Sequence, residues 1–394
     1  MRGFHGVLGA SALLVGATVS GCAPQPFAVE GRAEPAAQVE RQAAVVEVSA
    51  QAAEVEALAP GAMAAASGPM DAPSAGDVAF RTPPPRPMIT PDAVIAELER
   101  VQAENSHPRA SGWEADAGAT VAGDPKLASR IATLLREPTC SYLTRSVGIS
   151  LLRAEATEHG QAAILEVLSD PVVKADMMYS SLVLGLYSMP RPVEAVVVLI
   201  ESLRASDDAQ VRRAATTVLG SQVWALSVSG RAPRADGLAR TLAADLKASR
   251  DPAEQAVLIV ALAQGARPQT VAIVRSYARA ADPILRAAAA KGLASDEAAA
   301  ATGLMMKLLV DPAQAVQSAA LDSLHWRTLS AAQKKAVHAA IVEGTLRPEN
   351  EVVLALFVDR HLVGPARAEA LAAIAARNVG DERVTDKVRE LERG

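Results

Sequence analysis

Five times along this chain an Asp-Pro pair opens a short apolar stretch: at Asp124, Asp170, Asp251, Asp282 and Asp311. A cognate without the proline begins at Asp207-Asp208-Ala-Gln-Val211-Arg212-Arg213. An aspartate accepts hydrogen bonds from the first free N–H groups of a helix, and proline at the first helical position loses no bond there. Helix starts repeated in this way, about 30 to 45 residues apart, constrain the chain to an array of like helical units rather than one globular core.

The composition fits such an array. Half of the 394 residues are hydrophobic but only 3% are aromatic, with Ala, Val and Leu dominant. Burial must then come from close helix–helix approach over small side chains. The β-branched runs, such as Val196-Val197-Val198, are short and sit inside helical periods, so no sheet is expected. The formal net charge is −5 and basic residues never cluster beyond two, which argues against nucleic acid as a partner.

The N-terminus reads differently. Arg2 precedes an apolar run from Val7 to Val19 and then small residues, the order of a secretory signal. That run is too short to span a bilayer, which takes about 20 residues. Val19-Ser20-Gly21-Cys22 resembles the lipobox of bacterial lipoproteins. The resemblance implies cleavage before Cys22, a covalent lipid on Cys22 and, with Ala at position 23, sorting to the outer membrane facing the periplasm. Residues 22–90 shift to Ala, Pro, Glu, Gln and Gly, a composition unable to offset the entropy of ordering, and are expected to form a disordered tether. A flexible coil of that length averages about 45 Å end to end. Within it, apolar positions spaced by four and three over residues 36–59 leave a thin coiled-coil seam as an alternative.

The folded region, residues 91–394, starts with Thr90-Pro91 as cap and first helical residue. A loop is expected around Trp113. From Asp124 onward the pattern predicts helix pairs: 125–136 with 139–155, 158–169 with 171–187, 190–204 with 208–228 and 234–249 with 252–265. It continues with 268–281 and 283–294, 296–310 and 312–326, 330–344 and 348–360, and 363–377 and 380–393.

Asp207-x-x-x-Val211-Arg212-x-x-Ala215-x-x-x-Leu219-Gly220 resembles the second helix of a HEAT-like repeat, and Asp282-Pro283-Ile284-Leu285-Arg286 through Leu293 is a further match. Asp170-Pro-Val-Val173-Lys174 and Asp311-Pro-Ala-Gln-Ala-Val316-Gln317 depart from it, with Lys and Gln in place of Arg. The resemblance implies an all-α, right-handed α-solenoid in which each repeat covers its neighbour's apolar face. It also implies that the basic residue belongs to a polar ladder between repeats.

Signals for chemistry are weak. No His-Glu-x-x-His, Gly-x-Ser-x-Gly or Gly-rich phosphate loop occurs, so no catalytic residue, metal site or cofactor is expected beyond the lipid. Cys140 reads as a small packing residue, Asp207-Asp208 as capping residues, and His325-Trp326 and Asp359-Arg360-His361 as helix ends. Lys174, Arg212 and Arg286 fall at equivalent positions. Aligning them places Met178 and Tyr179 level with Thr216 and Thr217, and these seven residues are the candidate partner-binding set. Met and Tyr side by side suit an adaptable surface anchor; the alternative is that they fill the core. The expectation is a membrane-anchored envelope protein that binds one or more other envelope proteins without catalysis. The competing class is an enzyme or enzyme subunit, similar to HEAT-like lyases, with a site assembled from several repeats.

Overall fold

The computed structural model describes residues 89–109 and 112–393. The expectations for the signal, Cys22, the tether and the coiled-coil seam concern residues outside these. Among the described residues the chain is all-α and helical repeat-like, without strands, and no helix is long and apolar enough to cross a membrane. The described residues fall into two compact units, divided between Ala163 and Ile164.

The first unit contains α1 (Pro91–Glu104), α2 (Trp113–Gly123), α3 (Pro125–Leu135) and α4 (Tyr142–Ala154). Thr90 caps α1 by accepting from the Ala93 N–H, as its sequence predicts. The segment around Trp113 is a correction. Gly112, at φ 81°, turns the chain into α2, whose first-turn acids Glu114 and Asp116 suit a helix N-terminus. Trp113 itself is buried with Ala117 and Val121. Two polar side chains organise the α3–α4 turn. The Gln102 amide of α1 donates to the Thr139 carbonyl and accepts from the Ser141 N–H. Buried Arg145 donates to the carbonyls of Leu135 and Glu137. Cys140 is buried.

Helix α5 (Glu158–Ser169) contains the division between the units. The second unit continues with α6 (Pro171–Lys174), α7 (Tyr179–Leu184), α8 (Glu194–Leu203), α9 (Ala209–Val228), α10 (Ala232–Ala248) and α11 (Pro252–Gln264). Then come α12 (Pro268–Tyr277), α13 (Pro283–Gly292), α14 (Ala299–Leu308), α15 (Gln314–His325), α16 (Ala331–Val342), α17 (Glu351–His361), α18 (Gly364–Arg377) and α19 (Glu382–Arg393).

The aspartates do what their positions predict at five starts. Asp124, Asp170, Asp208, Asp251 and Asp282 are N-caps whose carboxylates accept from backbone N–H groups of the first turn, each worth about 1 kcal/mol. Asp311 is the exception. It accepts from the Ala313 N–H, but α15 begins only at Gln314 with Ala313 as its N-cap, and the Asp311 carboxylate is shared with Arg286. The helix expected over 171–187 is also broken. After one turn the chain leaves α6, and the Asp176 carboxylate accepts from the Met178 N–H, a local turn that competes with continued helix.

Every second helix packs on its next-but-one neighbour: α7 on α9, α9 on α11, α11 on α13, α13 on α15, α15 on α17 and α17 on α19. Small residues permit the approach. A β-carbon at Gly220 of α9 would lie 2.6 Å from the Ala261 Cα of α11, and one at Gly292 of α13 would lie 2.8 Å from the Ala263 Cβ. Leu219, Val218, Ile259, Leu262 and Ala289 are fully buried along this line, at about 1.5–3 kcal/mol for each large aliphatic side chain.

Candidate partner-binding groove

One position recurs at the start of these stacked helices, four residues past the N-cap. In α9 it is Arg212, whose Nη1 donates to the carbonyls of Ser206 (2.6 Å) and Asp207 (2.8 Å) in the preceding turn. In α13 it is Arg286, whose Nη1 reaches the carbonyls of Ala280 (2.9 Å) and Ala281 (2.8 Å). In α11 it is Gln255, donating to the Ser249 carbonyl at 2.8 Å. In α15 it is Gln317, donating to the Asp311 carbonyl at 2.7 Å. A donor six residues on thus satisfies a turn carbonyl that the helix ladder leaves open. Arg286 also forms two bonds of 2.8 Å to the Asp311 carboxylate in the following turn. Arg212 and Arg286 therefore have a framework role, and Gln255 joins them although its sequence lacks the basic residue.

Between these turns, at the N-terminal ends of α9 and α11 and the C-terminal end of α10, lies a groove of about 440 Å³. Arg204, Arg212 and Arg213 line it with Thr216, Asp245 and Glu254, over a floor that includes Val257 and Leu258. Arg204 is paired with Asp245, while its Nε is buried without a partner. Glu254 accepts from the Ser249 hydroxyl at 3.0 Å. Arg212 is committed to the turn. The Arg213 guanidinium has no ion-pair or hydrogen-bond partner among the described residues. It is half-buried at the groove edge, so it meets an incoming carboxylate or carbonyl with part of its desolvation already accomplished.

The expected surface separates into parts that do and do not meet. Arg212 and Thr216 share the groove. Thr216 and Thr217 each donate to a carbonyl four residues back, that of Arg212 or Arg213, and Thr216 is largely buried. Arg286 lies beyond the groove in its pair with Asp311, and Lys174 is exposed on the short α6. Tyr179 requires correction as a surface anchor. It is only 5% exposed, its hydroxyl donates to the Leu168 carbonyl at 2.8 Å, and burial pushes its phenol up to about 12. Met178 is partly exposed beside the fully open Met177, whereas Met189 is buried. The alignment of Met178 and Tyr179 with Thr216 and Thr217 fails because α6 ends at Lys174, before those positions are reached.

Arg204, Arg213 and Gln255 were not singled out from sequence. Arg213 was visible as the second member of the Arg212-Arg213 doublet; the groove needs α10 and α11 folded against α9 to exist.

The chain matches no family model and no curated protein sequence. Among the described residues no group of three or more His, Cys, Asp or Glu is placed to hold a metal ion.

Proposed function

We propose that this chain is a non-catalytic interaction protein of the bacterial envelope, a HEAT-like right-handed solenoid tethered to the outer membrane through a lipid on Cys22. The groove at the α9–α11 turns is its primary binding surface. The observation that carries the reading is Arg213: a cation without a partner, at the edge of a groove whose other charges are already engaged in pairs, caps or turn contacts. Unsatisfied charge beside an apolar floor is what a polypeptide partner completes on binding. The next-but-one stacking of helices supports the solenoid, since a repeat that cannot bury its own apolar face must lend it to a neighbour. The anchor rests on Val19-Ser20-Gly21-Cys22 and the Ala/Pro/Glu-rich stretch behind it; the lipid is the sole covalent addition, and the partners are other envelope proteins.

The test is recovery of partner from detergent-solubilised membranes with the full chain as bait. Arg213→Glu reduces recovery of its principal partner at least tenfold, and Arg213→Lys keeps part of it. Recovery unchanged by charge reversal removes the groove as the interface.

A further inference from the structure

Two short motifs far apart in sequence meet in the second unit. Trp326, directly after α15, is 76% exposed, although it is one of only three tryptophans in the chain. The Arg360 guanidinium of α17 lies over its ring, 4.2 Å from the centroid. His325 packs against the indole in a T-shaped arrangement, ring centroids 4.8 Å apart and planes at 75°. His325 is itself tied to α17, because the His361 ring N–H donates to the His325 carbonyl at 2.9 Å. His361 packs on buried Phe357, centroid to centroid 4.4 Å. The exposed Trp–Arg pair therefore stands on a rigid base, and holding both planes in place removes much of the rotamer entropy a partner would otherwise have to freeze.

The charges around the pair are unequal. Arg360 has no carboxylate partner among the described residues, and Lys334 of α16, also without one, is close enough for its charge to act on His361. Asp359 is occupied by Arg367 through two bonds of 2.7 and 2.9 Å. Two exposed apolar side chains are close to Arg360 along the chain: Leu356, one turn before it on α17, and Val363, three residues after it. The guanidinium over the ring has no hydrogen-bond acceptor among the described residues, so a carboxylate can bind its N–H groups while an aliphatic side chain covers the exposed indole.

We infer that Trp326, Leu356, Arg360 and Val363 form a second docking site, selective for a partner polypeptide segment that carries glutamate or aspartate beside leucine-type side chains. Trp and Arg are the residue types that dominate binding energy at such sites. The inference goes beyond the groove and does not depend on it; an inert groove leaves this site standing, and the reverse also holds.

The experiment follows the indole N–H signals of the full chain, labelled on its tryptophans, with the Trp326 signal assigned by its loss in Trp326→Phe. Three synthetic helical peptides of one length share the same leucines and differ in having Glu, Gln or Lys at the intervening positions; phosphatidylglycerol vesicles are a fourth probe. The Glu peptide shifts the Trp326 signal, leaves that of buried Trp113 in place, and binds at least tenfold more tightly than the Gln or Lys peptide. Arg360→Ala and Trp326→Ala each weaken it at least tenfold, with unchanged thermal melting because both side chains are exposed. Equal binding of the three peptides, no response to any, insensitivity to both variants, or a response to vesicles alone overturns the proposal.

Discussion

Gly220 on α9 and Ala261 on α11 approach so closely that a β-carbon on residue 220 would sit 2.4 Å from the Ala261 carbonyl oxygen. Backbone cannot yield locally as a flexible side chain can, so Gly220→Ala must push the two helices apart. The expected loss is about 1–3 kcal/mol in chemical denaturation. Gly303 on α14 has nothing within 4 Å of the same added atom, and Gly303→Ala should raise stability by about 0.5–1 kcal/mol through helix propensity alone. Opposite signs for one chemical change separate packing from propensity.

The Arg286–Asp311 pair links successive turns through two 2.8 Å bonds between side chains that are 15% and 9% exposed. Arg286→Ala strands a mostly buried carboxylate and also frees the Ala280 and Ala281 carbonyls. It should cost about 2–4 kcal/mol, whereas Arg286→Ala with Asp311→Ala costs less than the sum of the two single changes. Burial pushes the Asp311 carboxyl up, but Arg286 and the Ala313 N–H pull it further down, leaving it below its ordinary value. Its contribution is therefore complete above about pH 4 and lost as pH falls through the depressed value. Denaturation curves of wild type and Asp311→Asn between pH 3 and pH 6 check the sign.

A second pH effect has the same sign at a higher pH. Burial, together with the charges of Arg360 and His361, holds His325 below the ordinary imidazole value. Burial also lowers His361; its bond to the His325 carbonyl opposes this, and Arg360 and Lys334 reinforce it. Both rings are neutral in the folded chain where the unfolded chain begins to protonate. Stability is then level above about pH 6.5 and declines as pH drops below it. The His325→Gln/His361→Gln double variant should lose that slope, measured by urea unfolding at pH 5, 6 and 7, whatever its absolute stability.

Cap chemistry was legible in the sequence because it is local: Asp124, Asp170, Asp208, Asp251 and Asp282 need only the next turn of their own chain. Asp311 was legible only in part: its bond to the Ala313 N–H is local, but its pair with an arginine 25 residues away is not. Trp113 looked like loop because Gly and Asp surround it, yet the indole is buried together with Ala117 and Val121, four and eight residues on, the spacing of one helix face. Tyr179 was misplaced for a related reason. Its position relative to Asp170 predicts a helical face only if the helix persists, and the Asp176 turn ends it. The groove was half legible, through Arg212 and Thr216. What makes it a candidate site, an Arg213 without a partner in the groove that Glu254 also lines, depends on which neighbours tertiary packing leaves unengaged, and no local pattern reports that.

The anchor carries its own test. In the proposed reading Cys22 bears the lipids, and two acyl attachments hold a chain at a bilayer far better than one. Cys22→Ala should shift the protein from the outer-membrane fraction to the soluble fraction or halt its maturation, and mass spectrometry of the wild-type N-terminus should find a modified cysteine. An unmodified Cys22, or cleavage at another position, removes the anchor from the account while leaving the fold and groove intact.

The measurement that bears most directly on the groove as the binding surface is photo-crosslinking of the full chain in the bacterial cell. A crosslinking residue at Ala209, which is exposed and lines the groove, is compared with one at Val228, exposed on the same helix and about 28 Å further along it. The account predicts a discrete adduct from position 209 that disappears when Arg213→Glu is added, and none from position 228. Equal labelling at the two positions, or an adduct at 209 indifferent to Arg213, would contradict it.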